Sequence, residues 1–327
     1  MIPNQWYVIL ESNEVKKGKP IGVTRMGENL VAWREPNGKV TVMADKCPHR
    51  GVALSVGKLL NDCIQCPFHG FQYDISGACK LVPADGRNSE SPKALHVKTY
   101  PTREEHNFIY IWWGDPQPNL PPVPWFESIP DTMVYSTLRD HWANHYSRAI
   151  ENQLDVVHLP FVHYNTIGRG NRTLVNGPIV KEESHWPGDH LINLWVYNES
   201  DNGQKPKKSS ELPEPTRRPQ LQFRYGNLWQ NWIADDLRIL LAFVPIDNEN
   251  TMMYLRYYHT MRIPVLRQIY GWMGSLGNLI IERQDRRVVM TQRPHRPDLG
   301  IGEILIPGDS PIVLYRKIRR ELIGEKE

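Results

Sequence analysis

No apolar run in this sequence approaches the roughly 20 residues that a membrane-spanning helix needs; the best candidate, Ile239 to Val244, ends far short of that length. The opening stretch, Met1-Ile2-Pro3-Asn4-Gln5-Trp6, lacks the basic start and apolar core of a signal peptide, which sets the expectation of a cytoplasmic protein without a membrane partner. Cysteine is scarce. Four among 327 residues make no disulfide framework, and in a reducing compartment they suit metal ligation or plain burial. Charge of one sign is also lacking: 39 basic and 36 acidic residues leave +3, too balanced to imply a nucleic-acid or membrane surface as partner.

The remaining composition is that of a folded globular chain. Hydrophobic residues at 40% and charged residues at 23% exclude disorder, and the length suggests two domains at roughly 150 residues each. The first third is written in short strand-like runs: Trp6 to Leu10, Leu30 to Trp33, Val40 to Met43, Val97 to Tyr100 and Phe108 to Trp112. Asn37-Gly38 between two of them suits a tight hairpin with positive φ at both central positions. These runs predict a small all-β domain over 1–114. It is followed by a linker over 115–125, because the five prolines between Gly114 and Pro124 suit neither helix nor sheet interior.

The second domain, 126–327, is expected to mix helix and sheet. Ala149 to His158 has helical character, and Leu191 to Val196, Leu221 to Arg224, Leu240 to Val244 and Met252 to Tyr258 read as strands. One long helix is predicted from about Gln268 to Met290, with Gly271, Gly274 and Gly277 weakening its first half. Glu199 to Pro219 is polar and proline-containing, and is expected to be an exposed insertion. No internal repeat is present.

Two constellations carry chemistry. Cys47-Pro48-His49-Arg50-Gly51 and Cys66-Pro67-Phe68-His69-Gly70 place two Cys-His pairs on two turns, where Pro and Gly let the backbone bend around a metal centre. A Cys2His2 zinc site uses the same ligand types, but Cys-x-His with Cys-x2-His fits zinc-finger spacing poorly. The pattern resembles the Rieske motif, which implies that Cys47 and Cys66 bind one iron of a [2Fe-2S] cluster and His49 and His69 the other. Rieske proteins of respiratory and photosynthetic complexes carry an added cysteine in each loop. Here Val52 and Phe68 stand in those places, so the resemblance is to the clusters of oxygenases and ferredoxins. Cys63 and Cys79 have no place in the motif and read as buried or incidental thiols.

In the second constellation, Asn152, Asp155 and His158 recur every third residue on one side of an expected helical turn, and Pro160 provides a break that would let His163 swing back toward His158. Two imidazoles and a distant carboxylate make up the facial triad of non-haem Fe(II). Glu282 and Asp285 on the long helix are the candidates for the third ligand; alone, either would more often be a solvated partner of nearby arginines.

Asn-x2-Asp-x2-His-x4-His followed by an acidic residue on the last long helix resembles the catalytic subunits of Rieske non-haem iron oxygenases, in particular the compact monooxygenase and demethylase group. The resemblance spans essentially the whole chain. It implies an α+β fold, an all-β Rieske domain followed by a helix-grip catalytic domain with a curved antiparallel sheet and a long C-terminal helix. It implies His158, His163 and Asp285 as ligands of a mononuclear Fe(II), with Glu282 as the fallback. It also implies Asp155 as a hydrogen-bonded bridge between the iron's histidine and a cluster histidine of the adjacent subunit, and Asn152 as a residue near the iron or a structural amide.

The implied activity is O2-dependent hydroxylation or oxidative demethylation of an organic substrate, aromatic or cyclic. Electrons would come from NAD(P)H through a separate reductase or ferredoxin, since no Gly-rich dinucleotide fingerprint follows a strand. The implied assembly is a head-to-tail homotrimer. Competing readings are a ring-cis-dihydroxylating dioxygenase, a Rieske electron-transfer protein, and a binding protein on the same fold. Trp142, Phe161, Phe223, Trp229 and Trp232 are candidates for an aromatic pocket against the more frequent role of core. Asn231, Arg169 and Arg172 are candidates to meet an acidic or polar substrate against the default of exposed loop side chains.

Overall fold

A computed structural model describes residues 1–88, 90, 92–168 and 172–324. The chain divides into two compact units, the first Asn4–Val123, the second from Pro124 onward together with Met1–Pro3. The first is all β. Its strands are β1 (Gln5–Glu11), β2 (Ile21–Arg25), β3 (Glu28–Arg34), β4 (Val40–Ala44), β5 (Lys58–Leu60), β6 (Cys63–Gln65), β7 (Gln72–Tyr73), β8 (Cys79–Leu81), β9 (Thr99–Tyr100), β10 (Thr102–Glu105) and β11 (Phe108–Trp113). They form three antiparallel sheets ordered β1-β11-β10, β2-β3-β4-β9 and β5-β6-β7-β8. All seven residues of β1 are buried, as its near-continuous apolar run dictates.

The predicted strand over Val97 to Tyr100 shrinks to Thr99–Tyr100. The hairpin at Asn37-Gly38 is present but wider than a two-residue turn: Glu35 N–H donates to Lys39 O at 2.9 Å, and of the pair only Gly38 has positive φ. Asn37 stays out of the left-handed region because its side-chain oxygen accepts the Lys39 N–H at 2.8 Å, which closes the turn locally.

The second unit is built on one seven-stranded antiparallel sheet. Its elements are β12 (Val134–Trp142), α1 (Tyr146–Leu154), α2 (Leu159–Val162), β13 (Leu174–Glu183), β14 (Leu191–Glu199), β15 (Leu221–Arg224), β16 (Leu228–Ala234), β17 (Leu237–Pro245), β18 (Thr251–His259), α3 (Pro264–Val289) and α4 (Ser310–Ile323). The sheet order is β12-β18-β17-β16-β15-β14-β13. One core joins Trp142, Ile150 and Leu154 to Phe223, Phe243 and Leu255 of the sheet and to Ile312, Tyr315 and Ile318 of α4. Glu199 to Pro219 is largely exposed, with one turn of 3-10 helix at Ser209–Glu211.

Helix α3 starts four residues earlier than predicted, with Pro264 in its first turn, where the missing N–H costs nothing. Two of its three glycines, Gly271 and Gly274, serve packing. A Cβ on Gly271 would lie 3.1 Å from Ser136 Oγ, and one on Gly274 would lie 2.3 Å from the Tyr257 ring, so the helix rests directly on β12 and β18. Helix α1 ends earlier than predicted, at Leu154. Asp155 takes an extended conformation (φ −71°, ψ 128°), and its carboxylate accepts the N–H groups of Val157 at 2.6 Å and His158 at 3.3 Å. That local turn competes with the helix and wins, so Asn152, Asp155 and His158 do not share one helical face.

Candidate metal centres and cavity

The two cysteine turns occupy the β4–β5 and β6–β7 connections and are built alike. Cys47 N–H donates to Val52 O and Gly51 N–H to Cys47 O, both at 2.8 Å; Cys66 N–H donates to Phe71 O at 2.8 Å and Gly70 N–H to Cys66 O at 3.1 Å. Both glycines sit at φ 75°, where a side chain would be strained. Each turn thus points a buried thiol inward and a histidine outward. Cys47 and Cys66 share one buried cluster with Met43, Leu54, Ile64 and Tyr73, while His49 and His69 are exposed with ring centroids 4.8 Å apart.

The surroundings fit a cluster. Burial pushes the Cys66 thiol up and the Cys47 sulfur beside it adds to this, but the backbone N–H groups of Phe68 and His69 act the other way, stabilising a thiolate. Cys47 Sγ lies 3.2 Å from the Tyr73 hydroxyl, and burial, then that sulfur, keeps the phenol protonated. Phe68 is 53% exposed and Val52 half-buried, and all four cysteines are free thiols. Cys63 is pushed up to about 11 by burial and then Asp62, as suits an inert thiol.

In the second unit, His158, His163 and Asp285 converge with one ligand atom each, all within 4.8 Å of one another. Asp285 Oδ1 lies 2.9 Å from His163 Nε2 and 3.5 Å from His158 Nε2. Both carriers of this geometry are simple. The break after α1 and the short α2 bring the two imidazoles together, and α3 delivers the carboxylate. Asp285 Oδ1 is buried and accepts no aligned hydrogen bond among the described residues, a cost that a bound cation removes. Glu282, the alternative third ligand, lies outside this trio.

Several supporting side chains were not foreseen from the sequence. Gln284 Oε1 faces His163 Nδ1 at 2.8 Å and also accepts from Thr166 Oγ1 at 2.9 Å; Gln153 Nε2 reaches Asp285 Oδ2 at 3.4 Å. An Nδ1–H donated to Gln284 leaves the Nε2 lone pair of His163 on the Asp285 side. Burial alone would lower the His163 imidazole, yet Asp285 holds it above its ordinary value. Burial would likewise raise Asp155, but His158, with Nδ1 at 3.6 Å from Asp155 Oδ2, and the Val157 and His158 N–H groups hold its carboxyl below the ordinary value.

The trio opens on a cavity of about 410 Å³. Its sheet wall is mostly apolar, with Val196, Leu221, Trp229, Ile239, Leu241 and Leu255 beside Asn198 and Asn231, and the wall facing it carries Asn152, Asp155 and Glu282. Of the five aromatic candidates only Trp229 lines it. Trp142 and Phe223 belong to the core and Phe161 is 64% exposed. Asn231 lines the cavity; Arg172 is exposed and does not, and Arg169 lies outside the described residues.

Two thiols and two imidazoles on paired β turns, ahead of a two-histidine, one-carboxylate trio on a helix-backed antiparallel sheet, define the class of Rieske proteins that carry a second, iron-binding catalytic domain. Residues 5–101 match the Rieske [2Fe-2S] domain and residues 142–325 the Vanillate O-demethylase oxygenase C-terminal domain. The second match covers more than half of the chain, which therefore belongs to the Rieske oxygenase family with a C-terminal domain of that type.

Among curated relatives, the chain is 29% identical over 202 residues to the Toluene-4-sulfonate monooxygenase system iron-sulfur subunit of Comamonas testosteroni, covering 61% of this chain and 56% of the relative. It is 25% identical over 323 residues to the chloroplastic protein TIC 55 of Arabidopsis thaliana, covering 96% and 58%. The chain thus spans a little over half the length of these relatives. Among solved structures, Pseudomonas putida CBB5 NdmA with caffeine superposes with a TM-score of 0.76 at 21% identity over 98% of this chain and 91% of that one, a likeness of fold. Among the described residues no helix is long and apolar enough to cross a membrane.

Proposed function

We propose that this chain is the terminal oxygenase component of a system that hydroxylates or oxidatively demethylates an organic substrate with an aromatic or cyclic body, using O2. The observation that carries this reading is the convergence of His158, His163 and Asp285 at one end of a cavity with an apolar wall. In this reading residues 1–114 are the Rieske domain, 115–125 the linker and 126–327 the catalytic domain. Cys47, His49, Cys66 and His69 hold the [2Fe-2S] cluster, and the trio holds Fe(II). Iron in this ligand set supplies O2 activation, and the cluster supplies single electrons at a potential raised by its two imidazoles.

The residues of the chain do the rest. Gln284 fixes the His163 tautomer; Asp155 turns the backbone out of α1 and sets its carboxylate 3.6 Å from His158 Nδ1. The apolar wall excludes water and receives the substrate body; Asn152, whose buried Nδ2 has no hydrogen-bond partner among the described residues, is placed to orient it. The exposed edge formed by His49 and His69 suits exchange with a reductase or ferredoxin that carries electrons from NAD(P)H. The assembly proposed is a head-to-tail homotrimer, in which each Rieske domain serves the neighbouring subunit's catalytic domain, and the compartment is the cytoplasm.

A single turnover tests the activity. Chemically reduced, iron-replete protein meets isotopically labelled O2 with a pool of methyl ethers, N-methyl compounds and unsubstituted arenes, followed by mass spectrometry. One labelled atom in a product, or released formaldehyde, is the expected result. Two labelled atoms would move the chain to the dihydroxylating group. Identical inertness of the wild type and Asp155→Ala, with iron present, would refute an oxygenase acting on these classes.

A further inference from the structure

Glu282 lies on the cavity wall one helical turn before Asp285, on the same face of α3. It is 3% exposed, and neither carboxylate oxygen has a hydrogen-bond partner among the described residues. Asp140 is already served by Trp142 Nε1 at 3.1 Å and Arg286 at 3.3 Å, and Asp285 has Gln153 on Oδ2 and the trio on Oδ1, whereas Glu282 has neither. A buried, unpartnered carboxyl group is costly, and a missing partner is the natural explanation for one kept on a cavity surface. Burial first, then Asp140 and Asp285, pushes its carboxyl up to about 8.

The cavity also selects by what it omits. Its described lining holds three carboxyl groups, Asp155, Glu282 and Asp285, and neither a lysine nor an arginine. A carboxylate or sulfonate substrate would find no basic side chain among the described lining residues. A protonated amine would find an acceptor in Glu282, with the apolar body against Trp229, Leu241 and Leu255 of the lining.

We propose that Glu282 is the substrate anchor of this site, and that the site takes substrates with a protonated secondary or tertiary amine on an apolar body, held on the wall that also carries Asp285 one helical turn further along. The inference rests on the trio and its cavity being the substrate site. It concerns binding alone, so it is separable from turnover.

The test is equilibrium binding by calorimetry to the iron-loaded, oxidised protein at neutral pH, without reductant. The probes are dimethylbenzylamine and its uncharged carbon isostere isobutylbenzene. The wild type is expected to bind the amine at least about tenfold more tightly than the isostere, the worth of one hydrogen bond to a charged group. Glu282→Gln and Glu282→Leu are expected to erase that preference while keeping isobutylbenzene affinity, iron content and melting temperature. Equal affinity of the wild type for both probes would overturn the inference, as would an amine preference that survives in Glu282→Gln. Loss of iron in both variants would overturn it too, by making Glu282 a ligand. Absence of oxygenation with the amine preference intact would refute the proposed activity and leave the anchor standing.

Discussion

At the residue scale, the trio of His158, His163 and Asp285 depends on side chains outside it. Gln284 accepts from His163 Nδ1 and is itself held by Thr166 Oγ1 and, through Nε2, by Asn165 Oδ1 at 2.9 Å. Replacing it with Leu frees the imidazole to rotate or change tautomer. Gln284→Leu is therefore expected to weaken iron binding by about 10–100-fold, the usual cost of losing such a partner. Metal titration monitored by chelator competition checks this, and unchanged cluster absorbance confirms that the first unit is intact. That His158, His163 and Asp285 lie together was anticipated through the motif resemblance, which chose Asp285 over Glu282; the distant carboxylate carries no spacing signal of its own. Gln284 and Gln153 were not anticipated, since glutamine beside a motif carries no periodic or charge signal.

At the element scale, α3 must be both long and close to the sheet. Gly274→Ala is expected to destabilise by about 1–3 kcal/mol, since its Cβ would overlap the Tyr257 ring. Gly277→Ala meets nothing within 4 Å and should stabilise by about 1 kcal/mol through helix propensity. Urea denaturation of the two variants separates the effects by sign. Helices α1 and α4 are tied by Glu151, which faces Arg316 at 2.6 Å and Arg148 at 3.1 Å, and by Glu303, which faces the same two arginines at 2.6 and 2.8 Å. Burial would raise Glu303, but Arg316 and Arg148 outweigh it and hold its carboxyl below the ordinary value. Its contribution is thus present above that ordinary value of 4.5 and is lost as pH falls through the lowered folded value. Thermal melts should show Glu303→Gln less stable than the wild type at neutral pH, by about 1 kcal/mol at most, with the gap closing on acidification. The same network explains why α4 was not predicted. Ile312, Tyr315 and Ile318 make its apolar stripe, but Arg316 and Arg319 are buried among them and break the contrast between faces.

At the scale of the whole molecule, the two-unit division and the nature of each unit were readable from the sequence, because strand-length runs, a proline-rich joint and two separate ligand sets follow one another along the chain. Which aromatic side chains face the cavity was not, since that depends on strand register set by distant partners, and only Trp229 of five candidates does so. The proposed head-to-tail trimer makes a prediction that neither unit makes alone. Cys66→Ser, which retains the trio, and Asp285→Ala, which retains the cluster ligands, should each be inactive. Mixed trimers assembled at random from equal amounts should recover about one quarter of wild-type turnover per chain, if each cluster serves a neighbour. Zero recovery in verified mixed trimers would show that electrons stay within one chain.

The separation of the two ligand sets along the chain also orders biosynthesis. The cysteine and histidine turns lie on connections inside a unit that closes when β11 pairs with β1. The trio needs His163 together with α3, whose Gln284 contacts it from 121 positions further along. Because domains fold as units and the N-terminal one folds first during synthesis, the first unit can acquire its cofactor while the ribosome is still making the second. The trio cannot assemble until α3 has emerged, so a stalled or truncated translation product would hold the cluster turns without a catalytic site of its own.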